Sequence, residues 1–451
     1  MYSIKFSWKI ITETKEVNVS KTSASFFLRS SLRIFVLFLL GANLSGWANA
    51  QDYAKYQSYD EMTKSLKQMV KSGKKFAKLE SIGKTLQGRN IWLVTLANPD
   101  GAALNDRPGL LAAANFEGDH LIGSQLSLEM IDYLLKNYST DAEVKKTMDE
   151  HVYYFIPRMN PDGAEAMFAK IKTGKKTNAH KFDDDNDGRL DEDGPEDLNK
   201  DGYITVMRLK DANGRYMVDP KDARLMKKAD PAQGETGVYK LYWEGVDNDG
   251  DGFIDEDPPG GTDLNRNFQH AYPYYKPDAG KYMVSEAESR ALMDWVVAHR
   301  NVAAVLTFSE SDNLIVPPNA KGKLSSDKSI DLFQFAGESN SEVRKVGMIT
   351  APRRFGRFGG MSMFRRSQQQ QSGRSRIPRK PVTTVNKADL AYFTKISKKY
   401  REITGIKNQP PLRTPEGAFF QYGYFQYGVP SFSTPGWGLH EPAGKKEKTA
   451  G

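Results

Sequence analysis

Residues 108–138 read PGLLAAANFEGDHLIGSQLSLEMIDYLLKNY, and the fold turns on how this stretch divides. The apolar run PGLLAAA has the length and composition of a buried strand. The segment LSLEMIDYLLKNY carries its apolar residues at helical spacing. Between them lies the short loop NFEGDHLIGSQ, residues 115–125. Strand, loop and helix in this order form the repeating unit of an α/β protein, and the loop beyond such a strand is a common seat of chemistry. This loop holds a carboxylate, Glu117, and an imidazole, His120, three residues apart.

Outward from this stretch the same alternation continues. SYDEMTKSLKQMVKSG reads as a capped amphipathic helix, and FAKLESIGKTLQGRNIWLVTLAN as two strands joined by a Gly-containing turn. EVKKTMDEHVYYFIPRMNPDG reads as helix, buried strand and turn. SEAESRALMDWVVAHR is a helix, NVAAVLTFSE a buried strand, and FQYGVPSFSTPGW contains a last strand. The expected architecture is a mixed, mostly parallel central sheet with helices on both faces.

The 451-residue length allows a large core. With 39% hydrophobic and 27% charged residues, the chain has the balance of a soluble globular protein. A formal charge of +8 is modest for this length, and much of it sits in one Gln/Ser-rich basic stretch, residues 353–381, expected to be a disordered loop. Nucleic acid is therefore not an expected partner. Residues 1–50 combine a polar lead, basic residues, an apolar run from Ile34 to Leu40, and small residues at Ala48 and Ala50. That is the layout of a secretory signal cleaved after Ala50, and its apolar run is too short to span a bilayer. A secreted or periplasmic location is expected, with no transmembrane segment after cleavage. The chain has no cysteine, so its stability is expected to come from the core without disulfides.

A polar insertion, about residues 177–261, interrupts the α/β plan. It contains DDDNDGRLDED from Asp183, DLNKDGYIT from Asp197 and DNDGDGFIDED from Asp247. Each places oxygen ligands at alternate positions, glycine sixth and an aliphatic residue eighth, which is the first half of a calcium loop. The candidate calcium ligands are Asp183, Asp185, Asp187, Asp191, Asp197, Asn199, Asp201, Asp247, Asp249, Asp251 and Asp255. The twelfth positions, Gly194, Arg208 and Pro258, lack the usual bidentate Glu. Acidic residues nearby, such as Asp193 and Asp257, could supply late ligands instead.

From about Leu79 to Trp437 the landmarks resemble the zinc carboxypeptidase family, carboxypeptidase A-like metallopeptidases, in a bacterial branch with an Asp-rich insertion. The segments carrying the resemblance are IGKTLQGRNIWLVTL, NFEGDHLIGSQ, IPRMNPDG, GGTDLNRNF, SEAESRALMDWVVAHRNVAAVLTF and GAFFQYGYFQYGVPSF. The resemblance implies a domain from residue 51 to 440, with 441–451 a polar tail, and a zinc-dependent peptidase that removes C-terminal residues. It also implies zinc held by His, Glu and a later His, a Glu that moves the proton, and an Asn-Arg pair on the terminal carboxylate of a peptide.

Asn265 and Arg266 stand at the Asn-Arg pair, although Arg266 could instead make a structural bridge to a carboxylate. The chemical half departs from the pattern. Glu117 stands in the first His slot and His120 in the Glu slot, so the two zinc ligands are exchanged. The third-ligand slot is Ser309, and the adjacent Glu310 is expected to face away from it. The general-base slot is Pro435, which has no group to move a proton. Two functions follow: an exported zinc carboxypeptidase with a degraded centre, or a pseudo-peptidase that holds peptide or protein C-termini, or cell-wall peptides, without cutting them. A third possibility is a calcium protein in which the sheet serves only as scaffold.

Overall fold

The computed structural model describes residues 56–171, 174–183, 188–250, 252–255, 259–319 and 384–439. The expected signal segment, the basic stretch 353–381 and the polar tail lie outside the described residues, as do Asp185, Asp187 and Asp251. Among the described residues, no helix is long and apolar enough to cross a membrane.

Ser58 starts the first helix, α1 (Tyr59–Gly73). Its side chain accepts from the Glu61 amide while Glu61 accepts from the Ser58 amide at 2.9 Å, so two otherwise unpaired helix-end donors are satisfied. The chain then runs through β1 (Ala77–Lys84), β2 (Asn90–Leu96), β3 (Gly109–Ala114), α2 (Leu121–Asn137), α3 (Ala142–Glu150), β4 (Val152–Ile156) and α4 (Pro161–Glu165). After the insertion come α5 (Ala287–Ala298) and β9 (Val302–Phe308), then α6 (Leu390–Thr404), α7 (Phe419–Tyr422) and β10 (Ser431–Thr434).

The main sheet has the order β1-β2-β4-β3-β9-β10. β1 and β4 each pair antiparallel with β2, and the other three pairings are parallel. The sheet is therefore mixed and mostly parallel, as the sequence pattern predicts. β3 lies between two parallel neighbours, and all six of its residues are buried. Its side chains alternate between two cores, as strand geometry requires. Leu110, Ala112 and Ala114 join the core under α1, α2 and α6, with Met62, Leu66, Ile131, Phe393 and Phe432. Leu111 and Ala113 join the core under α5, with Phe116, Phe268, Trp295 and Phe419. Because each face has its own core, the strand reads as continuously apolar.

The insertion holds more than acidic loops. It forms a second, antiparallel sheet of order β5-β8-β6-β7, from β5 (Val206–Lys210), β6 (Tyr216–Val218), β7 (Met226–Lys228) and β8 (Tyr239–Trp243). The polar reading of this segment missed these strands. Val206, Leu209 and Trp243 are exposed, so the sheet lacks the buried face that makes a strand legible in sequence. Helix α6 was likewise not anticipated.

The insertion is fastened at its base. Asn178 exchanges hydrogen bonds with Thr262 across the two ends: each amide donates to the other residue, and the Asn178 side-chain oxygen is the acceptor for Thr262. The Asn178 amide nitrogen Nδ2 reaches Glu286 at 2.8 Å and Glu288 at 3.3 Å, at the start of α5.

Candidate active site

The two neighbours of β3, β4 and β9, lie on opposite sides of it, so the winding of the chain reverses there. In open α/β sheets such a reversal leaves a crevice off the carboxyl ends of the strands. The loop after β3 carries Glu117 and His120, the turn after β9 carries Ser309 and Glu310, and Pro435 follows β10. Three strand ends therefore bring the predicted positions to one region.

The β3 loop is tightly constrained. Asn115 adopts φ 56°, a left-handed conformation that Asn tolerates better than most residues. Its side chain donates to the Glu117 and Gly118 carbonyls at 2.8 and 3.0 Å. A Cβ on Gly118 would lie 2.5 Å from the Lys175 carbonyl oxygen, so only glycine fits against the start of the insertion. The Phe116 ring packs against Phe268 and Phe419 at 6.0 and 5.9 Å between centroids, which places Glu117 beside the 264–266 turn.

Glu117 is completely buried. Its Oε1 accepts from Asn265 Nδ2 at 3.0 Å and from Arg413 Nη2 at 3.2 Å. Among the described residues, none donates to its shielded Oε2. The other arm of the same guanidinium binds Asp263, itself only 2% exposed. Asp263 also accepts from the Asn265 amide at 2.9 Å, and the Asn265 side-chain oxygen accepts from the Phe419 amide at 3.2 Å. Burial pushes the Glu117 carboxyl up, with Arg413 pulling against it. Burial likewise pushes Asp263 up to about 7. For Arg413 burial disfavours the cation, but Asp263 and Glu117 outweigh it, and its proton is held more tightly than usual.

His120 Nε2 lies 3.0 Å from the Pro435 carbonyl oxygen. A carbonyl can only accept, so this nitrogen carries the proton and Nδ1 is the ring acceptor. Burial lowers the pKa of the ring and so favours its neutral form. Ser309 is turned toward the next strand, with its Oγ 3.0 Å from Ser433 Oγ. Glu310 binds Lys176 through both oxygens at 2.6 Å, and its charge is felt at Glu117, His120 and Arg413. Ser309 and Glu310 thus diverge, as neighbours leaving a strand do, and Glu310 is the one whose charge reaches the site.

A catalytic zinc site takes three protein ligands and leaves a position open. Among the described residues, no three His, Asp or Glu side chains converge in a way that could hold a metal ion. Glu117 Oε1 is committed to Asn265 and Arg413 and His120 Nε2 to Pro435, but Glu117 Oε2 and His120 Nδ1 are buried with no partner among the described residues and could each meet a metal; Ser309 faces Ser433 and adds no third ligand. The set is therefore one protein ligand short of a catalytic zinc site.

Arg266 donates from Nη1 to Asp278 at 2.9 Å, and its Nε is shielded without a partner among the described residues. Gly417 closes over its backbone: φ is 74°, and a Cβ there would lie 2.3 Å from the Arg266 carbonyl oxygen. The pair Asn265 and Arg266 is thus divided, with Asn265 on Glu117 and Arg266 on Asp278.

The acidic loops share one local geometry. The first Asp of each accepts from the amide of the sixth-position glycine: Asp183 from Gly188, Asp197 from Gly202 and Asp247 from Gly252, at 3.1, 2.9 and 2.9 Å. Those glycines have φ 95°, 88° and 96°, the turn that the spacing predicts. Asn199 and Asp197 both accept from the Asp201 amide. Asp191 accepts from the Phe182 and Gly260 amides, and Asp249 lies 3.9 Å from Arg189. Asp193 joins the first loop to the third by accepting from Asn248 and Asp255 amides. Both Asp255 oxygens are shielded, and no described residue donates to them.

Sequence reasoning did not single out Arg413 or Asp263. Asp263 lies within the quoted GGTDLNRNF. Arg413 sits in PPLRTPEGAFF, and nothing local marks it, because its partner Glu117 is 296 positions away.

A family model described as "Zinc carboxypeptidase" matches residues 62–373. Carboxypeptidase M of Mus musculus is 33% identical over 113 residues, 25% of this chain and 26% of that protein. A zinc carboxypeptidase of Saccharothrix mutabilis subsp. capreolus is 28% identical over 113 residues, again 25% and 26%. The matched part of the chain thus spans about a quarter of the length of these two curated relatives. Among solved structures, carboxypeptidase A from Helicoverpa armigera is 16% identical with a TM-score of 0.36, covering 59% of this chain and 51% of that one.

Proposed function

The chain belongs to the zinc carboxypeptidase family, and from that premise we propose that it is an exported peptide-binding member that holds free C-termini without efficient hydrolysis. The observation that carries this reading is the His120–Pro435 hydrogen bond. It ties one ring nitrogen of His120 to the backbone of Pro435, and a proline in the general-base slot has no side chain that can move a proton. General acid–base assistance is worth about 10²- to 10⁴-fold, so its loss leaves turnover far below that of an intact peptidase.

Recognition falls to Arg266. Its guanidinium can offer two parallel donors to a terminal carboxylate, a fork that Lys cannot copy. Asp278 holds one of those donors, and a ligand carboxylate must compete with it. Both residues are partly exposed, so the competition is screened and modest. Asp278→Asn is expected to tighten binding of a peptide with a free C-terminus by about threefold, and Arg266→Lys to weaken it by about tenfold. Neither should alter binding of the same peptide amidated. Calorimetric titration of the two peptides measures this, and equal changes for both would make Arg266 structural.

For the insertion we retain calcium as the ligand. The shielded Asp255 carboxylate beside Asp193, together with the shared turn geometry of the loops, supports this reading. Excess chelator is then expected to lower the melting temperature and open residues 177–261 to protease. An unchanged melting curve and digestion pattern would refute it.

A further inference from the structure

We propose that the guanidinium of Arg413 is the resident cation of this centre, supplying from the chain the positive charge that buried Glu117 would otherwise need from a metal. The inference uses the family position of Glu117 but does not depend on peptide binding.

Glu117 and Asp263 are both almost fully shielded from solvent. An ionised carboxylate withdrawn from water must be paired and hydrogen-bonded, or give up its charge. Asn265 gives each of them one neutral hydrogen bond. Among the described residues, Arg413 is the cation in hydrogen-bond contact with both: one nitrogen reaches Glu117 Oε1 at 3.2 Å while the other binds Asp263. Lys176, the other nearby cation, is committed to both oxygens of Glu310. The planar fork suits this bridging of two carboxylates, which the point charge of a Lys ammonium does not. A divalent ion on Glu117 would face this guanidinium across the same carboxylate.

Supporting features lie around the fork. Arg413 is about three-quarters shielded, and Gly417, four residues on, packs against the backbone of Arg266. The Arg413 segment and the Asn265 turn are therefore closed onto each other, which fixes the guanidinium over Glu117.

The test uses the full chain and needs no activity. After dialysis against zinc and then calcium-containing buffer, elemental analysis is expected to find well under a tenth of an equivalent of zinc, and a zinc-selective chelator that leaves calcium in place should not alter the melting temperature. Arg413→Met should lower the melting temperature by about 5–10 °C, because it strands a buried carboxylate. Adding Glu117→Gln to that variant should recover part of the loss, whereas Glu117→Gln alone should lower the melting temperature. Arg413→Lys, which keeps the charge without the fork, should fall between parent and Met variant, and it decides the matter if the Met variant does not fold. One tightly held zinc in the parent, a Met variant as stable as the parent, additive losses in the double variant, or a Lys variant equal to the parent would each overturn the proposal.

Discussion

Restoring the family pattern with Glu117→His, His120→Glu, Ser309→His and Pro435→Glu is expected to leave peptide hydrolysis undetectable as long as Arg413 remains. Adding Arg413→Gln should then raise it by at least about a hundredfold. The reason is electrostatic. A divalent ion about 4 Å from a guanidinium is repelled by roughly 8 kcal/mol at an effective dielectric near 20, enough to offset much of the affinity of a three-ligand site. Once the guanidinium is gone, a Glu at position 435 can move a proton, and that assistance alone accounts for about 10²- to 10⁴-fold. The measurement is release of a C-terminal residue from a peptide in the presence of zinc, compared across parent, fourfold and fivefold variants. Activity in the fourfold variant equal to that of the fivefold one would show that Arg413 does not oppose a metal there. Ordinary peptidase rates in the parent would overturn the proposed function itself.

The second large effect lies away from this centre, at the base of the insertion. Glu288 is fully buried in the first turn of α5, where Asn178 donates to one oxygen and no described residue donates to the other. Burial raises its carboxyl from an ordinary 4.5 to about 7. Between those two values the native protein holds a proton that the unfolded chain has released. Stability from this group is therefore full below about pH 4.5 and is lost as pH rises through 7. The shift corresponds to about 3 kcal/mol at pH 8. Glu288→Gln keeps the shape without the charge, so it is expected to be more stable than the parent at pH 8 by up to that amount and nearly equal to it at pH 4.5. Denaturant unfolding at the two pH values checks this; a parent and a variant with the same pH dependence would show that Glu288 is not the titrating group. The neighbouring Glu286 does not follow the same course, because Ser285, Asn178 and His180 outweigh its burial and hold its carboxyl below the usual range.

Much of this protein could be read in one dimension. The stretch 108–138 announced strand, loop and helix because periodicities of two and 3.6 are local properties of the backbone. The six buried residues of β3 made the doubly covered sheet legible, since a strand with a core on each face has no polar alternation. The three acidic loops were equally local. Each is closed by a hydrogen bond from a glycine amide to the carboxylate of an Asp five residues earlier, so the spacing contains the geometry. Glu117, His120, Ser309 and Pro435 were also visible as residues, and the resemblance alone assigned them to slots.

What those residues do was decided only by the tertiary structure. His120 meets the carbonyl of Pro435 across 315 positions, and no side-chain pattern can foretell a backbone acceptor. Arg413 reaches Glu117 across 296 positions from a segment with no periodic signal of its own. The divergence of Asn265 onto Glu117 and Arg266 onto Asp278 depends on the turn of a single three-residue helix and on Gly417 packed against it. Secondary structure follows from neighbours in the chain. Whether a buried carboxylate meets a metal or a guanidinium depends on which distant segment closes over it, and that is set by the packing of the whole sheet and its two cores.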